Sequence, residues 1–193
     1  MNKRICVFCA SSDKVDRKYL EAASVLGLEL VKNNYTLVYG GGARGLMGNI
    51  ACAVMQAGGQ AIGYIPRFMM EVEWGKTDIT QLIEVEDMRE RKKRLIEDVD
   101  AVIALPGGCG TLEELLEIIT LKRLGKFTQP IIILNQDGFY DALNTLLEKM
   151  IDEKFMRPEH RDIWTFVSTV DEIIPAIHNA KPFTDNAIQI AAV

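Results

Sequence analysis

Several apolar stretches in this sequence are unbroken runs rather than alternating ones: RICVFCA from residue 4, DAVIALPGG from residue 100 and QPIIILN from residue 129. A half-buried strand alternates apolar and polar residues, whereas a strand covered on both faces does not, and continuous runs are characteristic of parallel sheets sandwiched between helices. The intervening segments carry helical spacing. DRKYLEAASVLGLELVKN places Tyr19, Leu20, Ala23, Leu26, Leu30 and Val31 on one face, and GLMGNIACAVMQAGG is a small-residue helix that Gly58 and Gly59 close.

The alternation persists along nearly the whole chain. YTLVYGGG, QAIGYIP, QLIEVED and WTFVST read as further strands, and MRERKKRLIEDV, TLEELLEIITLKRLG, FYDALNTLLEKMIDEKF and DEIIPAIHNA as further helices. The expected architecture is a single α/β domain with a Rossmann-like, doubly wound parallel sheet over residues 1–180, followed by a C-terminal tail, residues 181–193. In such sheets ligands bind where strands end and helices begin.

Charge narrows the partners. A formal net charge of -5 argues against nonspecific nucleic-acid or membrane-surface binding, both of which need a basic face. No segment has the roughly 18 apolar residues of a membrane helix. With no export signal and with four cysteines, Cys6, Cys9, Cys52 and Cys109, in apolar or glycine-rich segments, the expectation is a cytoplasmic protein with reduced thiols. Cys6 and Cys9 form a CxxC inside a strand, where positions three apart point to opposite faces, which disfavours a metal or redox pair. His160 and His178 lie outside every motif and read as packing or surface residues; no metal constellation is visible.

Two glycine-rich loops follow strands. In YGGGARGLMG, Gly41 and Gly42 allow close backbone approach to a ligand, although the spacing is not the dinucleotide fingerprint. In LPGGCGTLEE, residues 105–114, glycines lead into a helix, where backbone N–H groups and the positive helix end form an anion cradle. Two readings of Glu114 stay open. With Thr111 as N-cap it would occupy the third helical position of a capping box; otherwise it faces a ligand. The basic helix start EDMRERKKRL immediately precedes the strand that delivers this loop, and its guanidinium groups share the ligand rim with the glycine amides. Lys93 and Arg94 read as a solvated face. Trp74 can stack on a flat ligand, pack or meet a second copy, and Phe68, Met69 and Met70 read as core or interface.

The pairing of MRERK, residues 88–92, with PGGCGTLEE, residues 106–114, together with VFCASS and YGGGARGLMG, resembles the LOG ("lonely guy") family of cytokinin riboside monophosphate phosphoribohydrolases, proteins often labelled lysine decarboxylases. The resemblance spans about residues 3–180. It implies hydrolysis of the N-glycosidic bond of a cytokinin or AMP-type nucleotide to free base and ribose 5-phosphate, with no cofactor, by a homodimer whose active sites lie near the subunit interface. Carried over by motif position, it implies Arg91 and Glu114 as the catalytic pair. Lys92, Gly108, Cys109, Gly110, Thr111 and Glu113 become substrate contacts, joined by Glu73 and Thr120. Many relatives have His where Arg89 stands and Gly where Ala10 stands; neither departure touches the catalytic pair.

The chemistry suits these residues. Breaking a ribose–base bond develops positive charge on the sugar, which a carboxylate steadies while it orients water. Glycine amides would hold the phosphate, and Glu114 would face the sugar. Arginine is too weak an acid to protonate the base, so Arg91 is expected to act by electrostatic positioning. An alternative is a noncatalytic carrier: related folds with similar glycine loops bind molybdenum cofactor or other phosphorylated ligands. Lysine decarboxylation is disfavoured, because no lysine lies in a recognisable pyridoxal phosphate setting.

Overall fold

Each strand of this chain is followed by a segment long enough to cross back over the sheet, so that successive strands can run in the same direction. The computed structural model describes residues 3–70 and 75–181. In chain order the elements are β1 (Lys3–Phe8), α1 (Arg17–Lys32), β2 (Tyr35–Tyr39), α2 (Gly45–Gln56), β3 (Ala61–Pro66), β4 (Gln81–Val85), α3 (Met88–Ile96), β5 (Ala101–Ala104), α4 (Cys109–Arg123), β6 (Ile131–Leu134), α5 (Asp141–Asp152), β7 (Thr165–Val167) and α6 (Ile173–Asn179). Short 3-10 turns at Arg67–Met69, Gln136–Gly138, Pro158–Ile163 and Val170–Glu172 were not foreseen from periodicity. The expected C-terminal tail beyond Lys181 and residues Glu73 and Trp74 lie outside the described residues.

All seven strands join one sheet in the order β4-β3-β2-β1-β5-β6-β7, and every pair is parallel. The register sets Ile5 beside Leu37 on one side and beside Ala101 on the other, so β1 lies at the centre. The doubly wound reading therefore holds. No helix among the described residues is long and apolar enough to cross a membrane.

Alternate side chains of the strands feed two cores. One packs Ile5, Val7, Leu37, Tyr39 and Ile103 against Leu26 and Leu30 of α1, Ile50 and Val54 of α2, and Ile173 of α6. The other packs Cys6, Phe8, Val38, Val102 and Ile133 against Leu95 of α3, Leu115 and Ile118 of α4, and Leu147 and Ile151 of α5. Continuous apolar runs are thus explained by burial on both faces. Cys6 and Cys9 fall in opposite cores, as the strand period requires, and the described residues, which include all four cysteines, contain no disulfide.

α4 carries a buried cation to the far end of the sheet. Lys122 is 2% exposed and gives an Nζ–H to the Gln129 carbonyl at 2.8 Å. Burial disfavours its charged form and lowers its pKa to about 8 from an ordinary 10.5. Between those values the folded chain binds fewer protons than the unfolded chain, so this group's contribution to stability rises with pH across the window. Lys122→Met removes the linkage. Its stability relative to the native protein should fall by about 3 kcal/mol between pH 7 and pH 10.5, read from denaturant unfolding at the two pH values.

Candidate active site

Connections leave β1 in one direction to build β2, β3 and β4, and the chain returns to lay β5 on the other side of β1. The loops after β1 and β5 consequently diverge, and the crevice between them is the switch point at which doubly wound sheets bind ligands. A cleft of about 270 Å³ lies there. Its walls are Cys9, Ala10, Ser11 and Ser12 after β1, Gly108, Gly110, Thr111, Glu113 and Glu114 after β5, and Met47, Met69, Met88 and Arg91. A larger hollow of about 640 Å³ opens at the opposite rim among Lys3, Arg4, Thr36, Gln60 and Asp100. Helices end at that rim rather than begin, and their dipoles there disfavour an anion.

The β5 wall is a helix start without a side-chain cap. α4 begins at Cys109 with Gly108 as N-cap, and its first backbone hydrogen bond runs from Leu112 N–H to Gly108 O at 3.1 Å. The amides of residues 109–111 therefore have no acceptor within the helix, and Gly108, Gly110 and Thr111 line the cleft. A Cβ added at Gly107 would overlap the Thr111 side chain, which is buried, whereas at Gly108 and Gly110 it would meet nothing within 4 Å. Gly107 is thus glycine for packing, and the space over Gly108 and Gly110 is open to a ligand.

This geometry removes one of the two readings of Glu114. Thr111 is not the N-cap but the third residue of α4, and the first turn holds no acidic residue. Glu114 lies beyond the capping positions, half-buried, with its side chain on the cleft wall.

Arg91 enters from α3, whose N-cap Asp87 accepts from the amides of Arg89 and Glu90 through Oδ1 at 2.8 Å each. Arg91 is 3% exposed; its Nε–H donates to the Tyr64 carbonyl at 3.1 Å and its Nη2–H to the Gly40 carbonyl at 2.9 Å. Tyr64 lies within β3, two residues before its end, and Gly40 directly follows β2, so the arginine is fixed to the sheet itself. The fields of Glu114 and Arg91 meet behind the cleft at Cys6. Burial pushes that thiol well above its ordinary pKa, Glu114 and Cys9 push it further, and Arg91 opposes them.

Other expected contacts are dispersed. Glu113 lines the cleft and accepts from Lys92 Nζ at 2.6 Å. Lys92 also pairs with Glu117 at 2.6 Å, and the hydrogen bonds that it donates to Glu113 and Glu117 hold its pKa above the ordinary lysine value. The lysine therefore bridges α3 to α4 and is not among the residues that line the cleft. The Cys109 side chain is exposed at the first turn, outside the lining set. Gly41 and Gly42 also stand outside it: a Cβ on Gly41, whose φ is +78°, would face Leu82 and Ile65, and Gly42 bridges to Gly75. Thr120 is three turns along α4 from the loop, its hydroxyl bonded to Leu116 O at 2.8 Å. Glu73 falls outside the described residues.

Sequence reading overlooked Ser11, Ser12 and Met47, and it placed Met69 in core or interface although it lines the cleft. The loop after β1 was findable from topology, because a central strand with crossovers on both sides must end at the switch point. Lys93 and Arg94 are exposed, as expected. His160 accepts from Arg157 N–H through Nδ1 at 3.0 Å, and His178 Nε2 meets Tyr35 Oη at 3.0 Å; neither lines the cleft. No lysine is among its described lining residues.

Comparison with known proteins places this geometry. A protein-family model described as "Possible lysine decarboxylase" matches residues 47–177. The chain is 43% identical over 186 residues, 96% of its own length and 82% of the relative's, to cytokinin riboside 5′-monophosphate phosphoribohydrolase LOG5 of Arabidopsis thaliana. Among solved structures, that of the structural-genomics target TM1055 aligns with a TM-score of 0.71 and 25% identity over 91% of this chain and 98% of that one. The molybdenum cofactor carrier protein of Chlamydomonas reinhardtii aligns with a TM-score of 0.69 over 93% of this chain and 98% of that one, but at 18% identity the likeness is one of fold alone. With 43% identity to a LOG protein over 96% of its length and a family model matched over residues 47–177, this chain belongs to the LOG family.

Proposed function

We propose that the protein hydrolyses the N-glycosidic bond of cytokinin riboside 5′-monophosphate, and of AMP-type nucleotides, to free base and ribose 5-phosphate. One observation carries the reading: an open amide cradle at Gly108 and Gly110, a carboxylate one turn along the same helix at Glu114, and the buried guanidinium of Arg91 all line one cleft. A carrier of a phosphorylated ligand needs the cradle but has no use for an oriented carboxylate. The named activity of the LOG5 relative supports the same choice.

In this reading the 5′-phosphate rests on the amides of Cys109, Gly110 and Thr111, where the α4 dipole favours an anion. Glu114 faces the ribose. As the C1′–N bond breaks, its electron pair leaves with the base, and the carboxylate steadies the positive charge on the sugar. Water adds its oxygen to C1′ and gives a proton to Glu114; the departing base takes a proton from solvent to leave neutral, and Glu114 returns its own to solvent, so one water is consumed in all. Arg91 stays a cation throughout and offers fixed donors to the phosphate or ribose hydroxyls. Glu113, held by Lys92, borders the sugar. The steps require water and fixed charges, and no metal or redox cofactor.

We further assign the chain to the cytoplasm, on cysteines without a disulfide, and to a homodimer. Support for the dimer is an apolar groove of about 550 Å³ along α4 and α5, lined by Leu116, Ile119, Leu147, Met150, Phe155 and Met156. Leu116 is 42% and Phe155 73% exposed at its edges, an apolar patch of the kind that marks an interface. Thr120 lines the groove, so a second copy seated on α4 gives this residue a route towards a substrate that its own cleft does not offer.

Two experiments follow. Chromatography of free base from isopentenyladenosine monophosphate and from AMP should show release by the native protein and a loss of about 10²–10⁴-fold in Glu114→Gln, with nucleotide binding retained. Undiminished release in that variant overturns the assignment of Glu114, and tight binding with no release by the native protein identifies a carrier. Light scattering should return twice the chain mass for the native protein and the single-chain mass for Leu116→Glu/Phe155→Glu; a native monomer rejects the dimer.

A further inference from the structure

The glycine loop after β2 contributes nothing to the cleft lining, yet one of its glycines touches Arg91 directly. The Gly40 carbonyl accepts the Nη2–H bond at 2.9 Å, and a Cβ built on Gly40 would overlap that same nitrogen and stand 3.2 Å from the guanidinium carbon. The next obstacle is the Sδ of Met47 at 3.1 Å, the far end of a flexible side chain that can shift by a few tenths of an ångström. Gly40 is not among the glycines with positive φ, so its backbone conformation is open to alanine. What forbids a methyl group there is the arginine.

We infer that Gly40 is a positioning residue for Arg91: its carbonyl orients the guanidinium, and its missing side chain is the slot through which the guanidinium reaches the cleft. The loop YGGG is then a socket for a cation rather than a cradle for phosphate. The second tether, Nε–H to Tyr64 O, lies on the neighbouring strand, so a group displaced at Gly40 cannot keep both bonds. A displacement of about 1 Å in a positioning group commonly costs about 100-fold in rate.

The inference rests on the hydrolase reading only for its kinetic consequence, and a double-mutant cycle separates the two. Gly40→Ala, Arg91→Ala and the double variant are compared by thermal midpoint and by base release from isopentenyladenosine monophosphate under single-turnover conditions. Gly40→Ala alone should lower the midpoint and reduce release about 100-fold. In the Arg91→Ala background the space is vacant, so the same substitution should leave the midpoint unchanged and alter residual release less than twofold. If Gly40→Ala fails to fold while the double variant folds, the coupling is demonstrated in its strongest form. Equal losses in both backgrounds, or failure of both proteins to fold, overturn the inference by placing the demand for glycine in the loop itself. Should the native protein release no base, the hydrolase reading fails, while the thermal arm still decides whether Gly40 and Arg91 act as a unit.

Discussion

Parallel pairing of all seven strands is the constraint from which the rest of this structure follows. It sends every carboxyl end to one rim, and with it the starts of the helices that follow the strands and the two glycine-rich loops after β2 and β5. Because the order reverses at β1, the loops after β1 and β5 cannot pack on each other, and the crevice between them is a product of connectivity rather than of any single side chain. The two cores supply the rigidity. Arg91 shows how that rigidity is used: it is bonded to β3 and to the residue that follows β2, so the position of its charge is as well defined as the sheet.

The fold was legible because burial on both faces writes itself into the sequence as unbroken apolar runs. RICVFCA, DAVIALPGG and QPIIILN each became a strand, shortened by a residue or more at its carboxyl end. The short 3-10 turns escaped notice, since one turn of helix has no period to detect. Boundaries at helix starts were less secure. Thr111 has the chemistry of an N-cap, yet α4 begins two residues earlier, at Cys109, where glycine leaves the first amides uncovered. Local capping preference lost to the path of the loop.

The site was legible in part. Arg91, Glu114, Glu113, Gly108 and Gly110 share one cleft. Lys92 illustrates what residue type does not disclose: its charge is engaged by Glu113 and Glu117, and its effect is to join α3 to α4. The first glycine loop is open to two readings for a related reason. Consecutive glycines signal that something must approach the backbone closely, but not whether that something is a ligand or a side chain from elsewhere in the chain. Gly40 admits a guanidinium.

The glycines of this rim therefore belong to two kinds, with different histories open to them. Gly40 and Gly107 are hemmed in by Arg91 and Thr111, and a drifting sequence that altered them would meet the cost in the folded protein at once. Gly108 and Gly110 face empty space, so an alanine there leaves packing untouched and, in the proposed hydrolase, occupies only room meant for the phosphate. Descendants of this chain that lose their ligand can keep their fold and their abundance while these two positions fill in. A selection for solubility or heat resistance would pass over such changes in silence, and only growth that depends on the bound molecule would register them.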